Sequence, residues 1–479
     1  MTSLKQGDSL SERIIERVIM KYLGKKEVKI LGLSSLGGAL EFYDFIIFVF
    51  FTSIIAKHFF PNTLSPIWSE INTYGIFAAG YLARPLGGIV MAHFGDRFGR
   101  KNMFMLSILL MVIPTFALAL MPTFNHLVGF GVDSMGLTPK NAHYLGYIAP
   151  AFLVFVRICQ GVAVGGELPG AWVFVHEHAP QGQKNTYIGF LTASVVSGIL
   201  LGSLVYIGIY MVFDKPVVED WAWRVAFGLG GIFGIISVYL RRFLEETPVF
   251  QQMKQDDALV KFPLKEVFKN SLFGILISML ITWVLTACIL IFILFVPNFT
   301  LTHPNFHFTP FEKTYFQILG LVGIVSSIIF TGFLADKIKP HKVCMAFSAA
   351  FAFFGFLFFK EFYSNAPSLV NTIVLYFLAC FCAGIMNFCP IFMSDVFSAR
   401  IRFSGISFAY NIAYAITAGF TPQLSSWLNA KAIAAPESLQ SYGLSFYILI
   451  VSLIAFITSL LMVPIYNKSN TQHEVSPTA

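Results

Sequence analysis

Residues 93–101 read His93-Phe94-Gly95-Asp96-Arg97-Phe98-Gly99-Arg100-Lys101, and residues 334–342 read Leu334-Ala335-Asp336-Lys337-Ile338-Lys339-Pro340-His341-Lys342. Each stretch is a short basic break between two long apolar runs, and each has an aspartate followed closely by cations. Asp96 and Asp336 stand 240 residues apart in a chain of 479, so one half of the sequence repeats the organisation of the other. A second pair of segments, Glu177 through Gly189 and Asp395 through Gly405, follows the fourth and the tenth apolar runs. Two similar halves imply a pseudo-two-fold axis along a membrane normal, with a binding site between them.

Outward from these breaks, apolar runs fall at 30–57, 71–94, 101–121, 144–178, 185–213 and 222–241, then at 268–297, 313–334, 343–362, 368–393, 404–428 and 441–465. The chain is 56% hydrophobic and only 12% charged, with a mean hydropathy of +0.72. A soluble domain carries about 25% charged residues, so water is the wrong solvent for this one. A spanning helix needs about 20 apolar residues. Twelve spans therefore leave only helix ends, loops and tails, with no room for a large soluble domain. A cytosolic enzyme, a secreted disulfide scaffold and a nucleic-acid-binding module are excluded. The expected fold is an all-α membrane protein of twelve transmembrane helices in two pseudo-symmetric six-helix bundles. Its parts are a basic amphipathic N-terminal segment at 1–29, an N-terminal bundle at 30–241, a central loop at 242–267, a C-terminal bundle at 268–465 and a short tail at 466–479.

Basic residues set the orientation, because loops on the cytoplasmic side of a membrane collect Lys and Arg. With the N-terminus inside, 23 of the 32 fall in the tails and inward loops, six in the opposite loops, and three within or at the edge of spans. Both termini are thus expected in the cytoplasm. No cleavable signal follows the basic N-terminal segment. All six cysteines lie in expected spans and read as packing residues, and no spacing with histidine suggests a metal site.

An ionisable side chain at mid-bilayer is costly and needs a reason to be there. The first half has Glu41 and Asp44 in the first run, Arg84 in the second, and Arg157 and Glu167 in the fourth. The second half has no Lys, Arg, Asp or Glu in the middle of a span. Glu41 and Asp44 are three residues apart and share a helix face. Two carboxylates that close in a low dielectric cannot both ionise cheaply, which suits one of them to picking up and releasing a proton. A static ion-pair network is the competing reading. Glu167 after Gly165-Gly166 also fits a packing role, and Arg224 beside two tryptophans fits an interfacial anchor.

The loop at 95–101 resembles the loop motif of the major facilitator superfamily, and more closely its metabolite:proton symporter family, which includes proline/betaine, shikimate, citrate and 2-oxoglutarate carriers. The resemblance is carried by Ala39-Leu40-Glu41-Phe42-Tyr43-Asp44-Phe45, Arg84-Pro85-Leu86-Gly87-Gly88 and the stretch from His93 to Lys101. Arg157 through Gly161, Gly165-Gly166-Glu167, Trp223-Arg224 and Leu244 through Pro248 continue it in order. Ala92 replaces the motif's first glycine, which Gly332 keeps in the second half, and Lys339 replaces a later one.

The resemblance implies the major facilitator fold, a cavity lined by helices 1, 4, 7 and 10, and proton-coupled symport of a small carboxylate-bearing metabolite by alternating access. Proton coupling is expected at Glu41 and Asp44, and substrate contacts at Arg157, Arg84, Trp283, Asn387 and Tyr414. Gating falls to Gly95, Asp96, Arg97, Gly99, Arg100, Glu177 and Asp336. Asp96 can cap a neighbouring helix end, and Arg97 and Arg100 can reach carboxylates such as Glu177 when the inner side is closed. Arg84 is expected to latch the second helix to the first. An organic acid is the leading cargo, with proline- or betaine-type zwitterions, or a uniporter or exchanger without proton coupling, as alternatives. The proton is the coupling ion, and no cofactor or metal is expected. The partners are the small solute and the lipid bilayer. The expected setting is a bacterial inner membrane, with the chain acting as a monomer.

Overall fold

The computed structural model describes residues 25–61, 66–303, 306–434 and 442–474. Residues 1–24 of the expected amphipathic segment and 475–479 of the tail lie outside the described residues, as does the side chain of Glu41. Among the described residues all regular structure is helical.

The first half consists of α1 (Lys25–Phe50), α2 (Pro66–Phe98), α3 (Arg100–Leu120), α4 (Ile148–His178), α5 (Lys184–Val212) and α6 (Trp223–Arg241). The second half consists of α7 (Leu272–Cys288), α8 (Pro310–Lys337), α9 (Pro340–Phe362), α10 (Leu369–Cys382), α11 (Arg402–Ala434) and α12 (Tyr442–Glu474). Two of these continue in altered geometry. A π-helical stretch, Ile289–Phe295, carries α7 into Val296–Thr302, and a 3-10 stretch, Ala383–Asn387, joins α10 to Phe388–Val396.

Ten of the twelve are long and apolar enough to cross a membrane. The other two, α2 and α11, are diluted by polar residues, among them Arg84 and Asp96 in one and Ser404, Ser407 and Asn411 in the other. These two helices pack on each other across the halves, so their polar groups meet protein where the others meet lipid. A second inter-half seam joins α5 to α8, and α11 also touches α4, where Asn411 donates to the Gly165 carbonyl at 2.8 Å. Within the first half α2 lies against α4, where Gly80 and Gly161 let the backbones touch: a Cβ on Gly161 would strike the Gly80 carbonyl.

The structure adds local detail that hydropathy does not reveal. The first apolar run breaks at Phe51, and Thr52–Phe59 forms a separate short helix. Helices Phe124–Asp133 and Pro139–Gly146 precede α4. The central stretch 242–267 contains a helix at Pro248–Gln255, opened by Thr247, whose hydroxyl accepts from Phe250 N at 3.2 Å. A second central helix starts at Pro263. Both begin with proline at the first position, where the missing N–H costs nothing.

Candidate functional site

The expected carboxylate and arginines converge on one small cavity of about 50 Å³ between α1, α2, α4 and α11. Asp44 of α1 forms one wall. Its Oδ1 accepts from Thr115 at 2.9 Å, and its Oδ2 accepts from Gln160 at 2.7 Å. Arg157 Nη1 lies 3.8 Å from Asp44 Oδ2 and donates to Gln160 Oε1 at 2.8 Å. Its guanidinium also sits 4.0 Å over the Phe48 ring. Arg157 and Gln160 are three residues apart on α4, so one helix face delivers both.

The facing wall comes from α2 and α11. Tyr81 stacks on Tyr414 with centroids 5.8 Å apart and planes within 7°, and the Arg84 guanidinium lies 4.2 Å from the Tyr414 ring. Tyr410, one turn before Tyr414, flanks the same cation at 5.6 Å. Arg84 therefore braces α2 against α11 through aromatic faces, where the sequence suggests a latch to α1. Trp283 and Asn387 do not line this cavity. The Trp283 indole donates to Tyr447 OH at 3.0 Å, on the side of α7 that packs toward α12. Asn387 donates to the Ile328 carbonyl at 3.1 Å and to Thr331 at 3.3 Å, bracing α8. It falls in the 3-10 stretch, whose three residues per turn move its side chain off the face that a continuous α-helix would present.

The residues that the sequence marks for gating gather at one end of the bundle. Asp96 Oδ2 accepts from Ser404 N at 2.9 Å, in the first turn of α11, so the carboxylate of one half caps a helix of the other. Asp336 repeats this in reverse, accepting from Asn185 N at 3.0 Å and Thr186 N at 2.7 Å in the first turn of α5. Arg100 lies 3.6 Å from Asp96 and donates to the Ala399 carbonyl across the halves at 2.7 Å. Arg100 also pairs with Glu177, whose other oxygen takes Arg402 at 2.9 Å, while Thr247 donates to it at 2.8 Å. All three side chains of the Arg100–Glu177–Arg402 cluster are largely buried, and the cluster ties the end of α4 to the starts of α3 and α11.

Gly95 and Gly99 serve geometry. A Cβ on Gly95 would meet the Phe403 ring of α11, and Gly99 has φ +117° with the Glu246 carboxylate in the space that a Cβ would take. Glu246 accepts from Lys101 N at 3.2 Å and caps α3. Arg97 stands apart from the cluster. It is exposed, with its guanidinium 5.1 Å from the Phe98 ring, because the next position on a helix turns away from Asp96.

Several participants escaped the sequence reading. Thr115 and Gln160 hold Asp44, Arg402 shares Glu177, and Arg241 pairs with Glu167 at 2.7 Å inside the first half. Arg241 looks like a loop cation beside Arg242, yet it is fully buried against Phe104 and donates to the Ser34 and Phe104 carbonyls. The Gln160 signal was available as the i+3 neighbour of Arg157; that of Arg241, 74 residues from Glu167, was not. Arg224 donates to the Ala119 and Met121 carbonyls at 3.0 and 2.7 Å, closing the end of α3. No group of His, Cys, Asp and Glu able to hold a metal occurs among the described residues.

Comparison with known proteins bears on the family and the fold. The chain is 28% identical over 459 residues to a proline/betaine transporter of Escherichia coli K12, covering 92% of this chain and 84% of the relative. It is 26% identical over 442 residues to a putative proline/betaine transporter of Staphylococcus haemolyticus, covering 91% and 87%. Its fold is similar to the proton:xylose symporter XylE bound to 6-bromo-6-deoxy-D-glucose, with a TM-score of 0.71 at 17% identity over 91% of this chain and 95% of that one. A D-xylose-proton symporter structure gives 0.62 at 20% identity, covering 91% and 97%. The family model of the Major Facilitator Superfamily matches residues 34–422, so the chain belongs to that superfamily of multi-pass membrane transporters, which is not an enzyme family.

Proposed function

We propose that this transporter is a proton-coupled symporter that moves a small carboxylate-bearing solute by alternating access. The observation that carries the reading is the Arg157–Asp44 pair, 3.8 Å apart on the wall of the central cavity. While Asp44 is ionised it occupies the guanidinium. A proton on Asp44 removes that charge and leaves Arg157 to hold the carboxylate of the solute, an anion that a guanidinium can grip with two parallel bonds. Proton and solute then favour each other's binding, which is the linkage that symport requires. Glu41, three residues earlier on α1, shares the proton site in this scheme, and Thr115 and Gln160 keep the Asp44 carboxyl in place.

The Asp96 and Asp336 end is the cytoplasmic end in this reading, in a bacterial inner membrane with both termini inside and the monomer as the working unit. The charge distribution of the loops supports that orientation. For the cargo, the relatives named as proline/betaine transporters support a zwitterion. An organic acid is the second reading, favoured by two guanidiniums, Arg84 and Arg157, in one cavity.

Reconstituted full-length protein tests the coupling. Asp44→Asn and Glu41→Gln should lose accumulation driven by a pH gradient while retaining solute exchange at equal pH. Full accumulation in both variants overturns the coupling scheme. Competition of labelled L-proline by betaine and by dicarboxylates separates the two cargo readings.

A further inference from the structure

A second recess of about 200 Å³ lies between the halves, toward the end away from Asp96 and Asp336. The same helix borders both spaces: Asp44 faces the central cavity and Phe50 this recess, roughly 9 Å further along α1 at about 1.5 Å per residue. Apart from Tyr206 of α5, its polar side chains, Asn298, Lys313 and Gln317, come from the second half. In a regular helix the Ile293 carbonyl would accept from the N–H of residue 297, but Pro297 has none. Gln317 of α8 fills the gap, donating from Nε2 to Ile293 O at 2.9 Å. Because a carbonyl can only accept, this bond fixes which way the Gln317 amide points.

Its Oε1 is therefore turned the other way. Gln317 is only 3% exposed and lines the recess, and Oε1 has no hydrogen-bond partner among the described residues. Buried polar atoms are almost always partnered, so this acceptor calls for a donor. Lys313, four residues earlier on the same face of α8, also lines the recess. Its ammonium donates to Asn298 Oδ1 at 3.2 Å and has further donors to offer. A cation and an orphaned acceptor thus stand side by side.

We propose that this recess is a second solute-binding subsite, selective for small zwitterions that carry both a carboxylate and an N–H. Lys313 takes the carboxylate and Gln317 Oε1 accepts from the ammonium. A quaternary ammonium compound has no N–H to give and engages only Lys313. The subsite extends the proposed function, on which it rests for the class of solute, by adding a selective stop before the Asp44–Arg157 cavity.

Equilibrium binding of labelled L-proline and glycine betaine to the full-length protein in detergent tests it. The wild type should bind L-proline at two sites. Gln317→Leu should weaken one of them about tenfold and leave betaine binding unchanged, whereas Lys313→Met should weaken both solutes there. Arg157→Met should lose the central site and retain this one. A single L-proline site in the wild type, or wild-type binding in both Gln317→Leu and Lys313→Met, overturns the subsite. Equal weakening of L-proline and betaine in Gln317→Leu also overturns it, by marking a packing defect. An Arg157→Met variant that still binds at two sites defeats the central-cavity reading and leaves the subsite standing.

Discussion

Asp96 and Asp336 perform the same act from opposite halves, each capping the first turn of a helix in the other. Their surroundings differ. Asp96 is buried beside Arg100, next to the carboxylate that Arg100 and Arg402 share. Asp336 is half-exposed, bonded to two backbone N–H groups, and the following Lys337 turns away over the Phe333 ring at 4.1 Å. The duplication has kept the backbone geometry of closure in both halves and concentrated the charge in one. One seam of the gate is an ion cluster, the other a pair of amide hydrogen bonds.

The largest test of that contrast removes Glu177. In Glu177→Ala the Arg100 and Arg402 guanidiniums stay buried without their carboxylate, and breaking such a pair costs about 3–5 kcal/mol. The closed gate should open, seen as a longer distance between spin labels at the exposed positions Arg97 and Arg400. An unchanged distance would show that the ion cluster does not hold this end. Next in size, Asp96→Asn should favour opening by about 1–2 kcal/mol and Asp336→Asn by less than about 1 kcal/mol, since only the first loses an ionic neighbour along with its cap. Equal shifts in the same spin-label measurement would erase the difference between the seams.

The smallest test runs the other way. A Cβ at Gly332 meets the Asn185 carbonyl at 2.7 Å, part of the α5 backbone, whereas one at Gly95 meets the Phe403 ring, which can tilt. Gly332→Ala should therefore disfavour closure by about 1 kcal/mol and Gly95→Ala by less. Here the weakly charged seam is the sterically stricter one. The reverse order would make the ion-cluster seam the sterically stricter one.

Much of the architecture was legible in the sequence because lipid imposes a coarse rule. Spans must be apolar and about 20 residues long, and inward loops must be basic, so twelve runs and two similar loops suffice. Within the site, Asp44, Arg84, Arg157 and Tyr414 converge as expected because unusual residues inside a membrane have few places to go. Trp283 and Asn387 misled, since their helices turn them toward packing neighbours, one through a local change to 3-10 winding. Arg241 was hidden by its setting: beside Arg242 at the end of a span, nothing local says that one arginine is buried and the other exposed. Contacts such as Glu177 with Arg402 join residues 225 apart, and no periodicity encodes them.

The central cavity has a consequence beyond binding. Among the described residues, nine of the ten that line it belong to the first half, and Tyr414 comes from the second. When the halves rock, a bound solute rides with the first bundle like a passenger, and the second bundle acts as a door sliding past it. Substitutions in α1, α2 and α4 can then change what this cavity holds without touching the separate recess that Lys313 and Gln317 line.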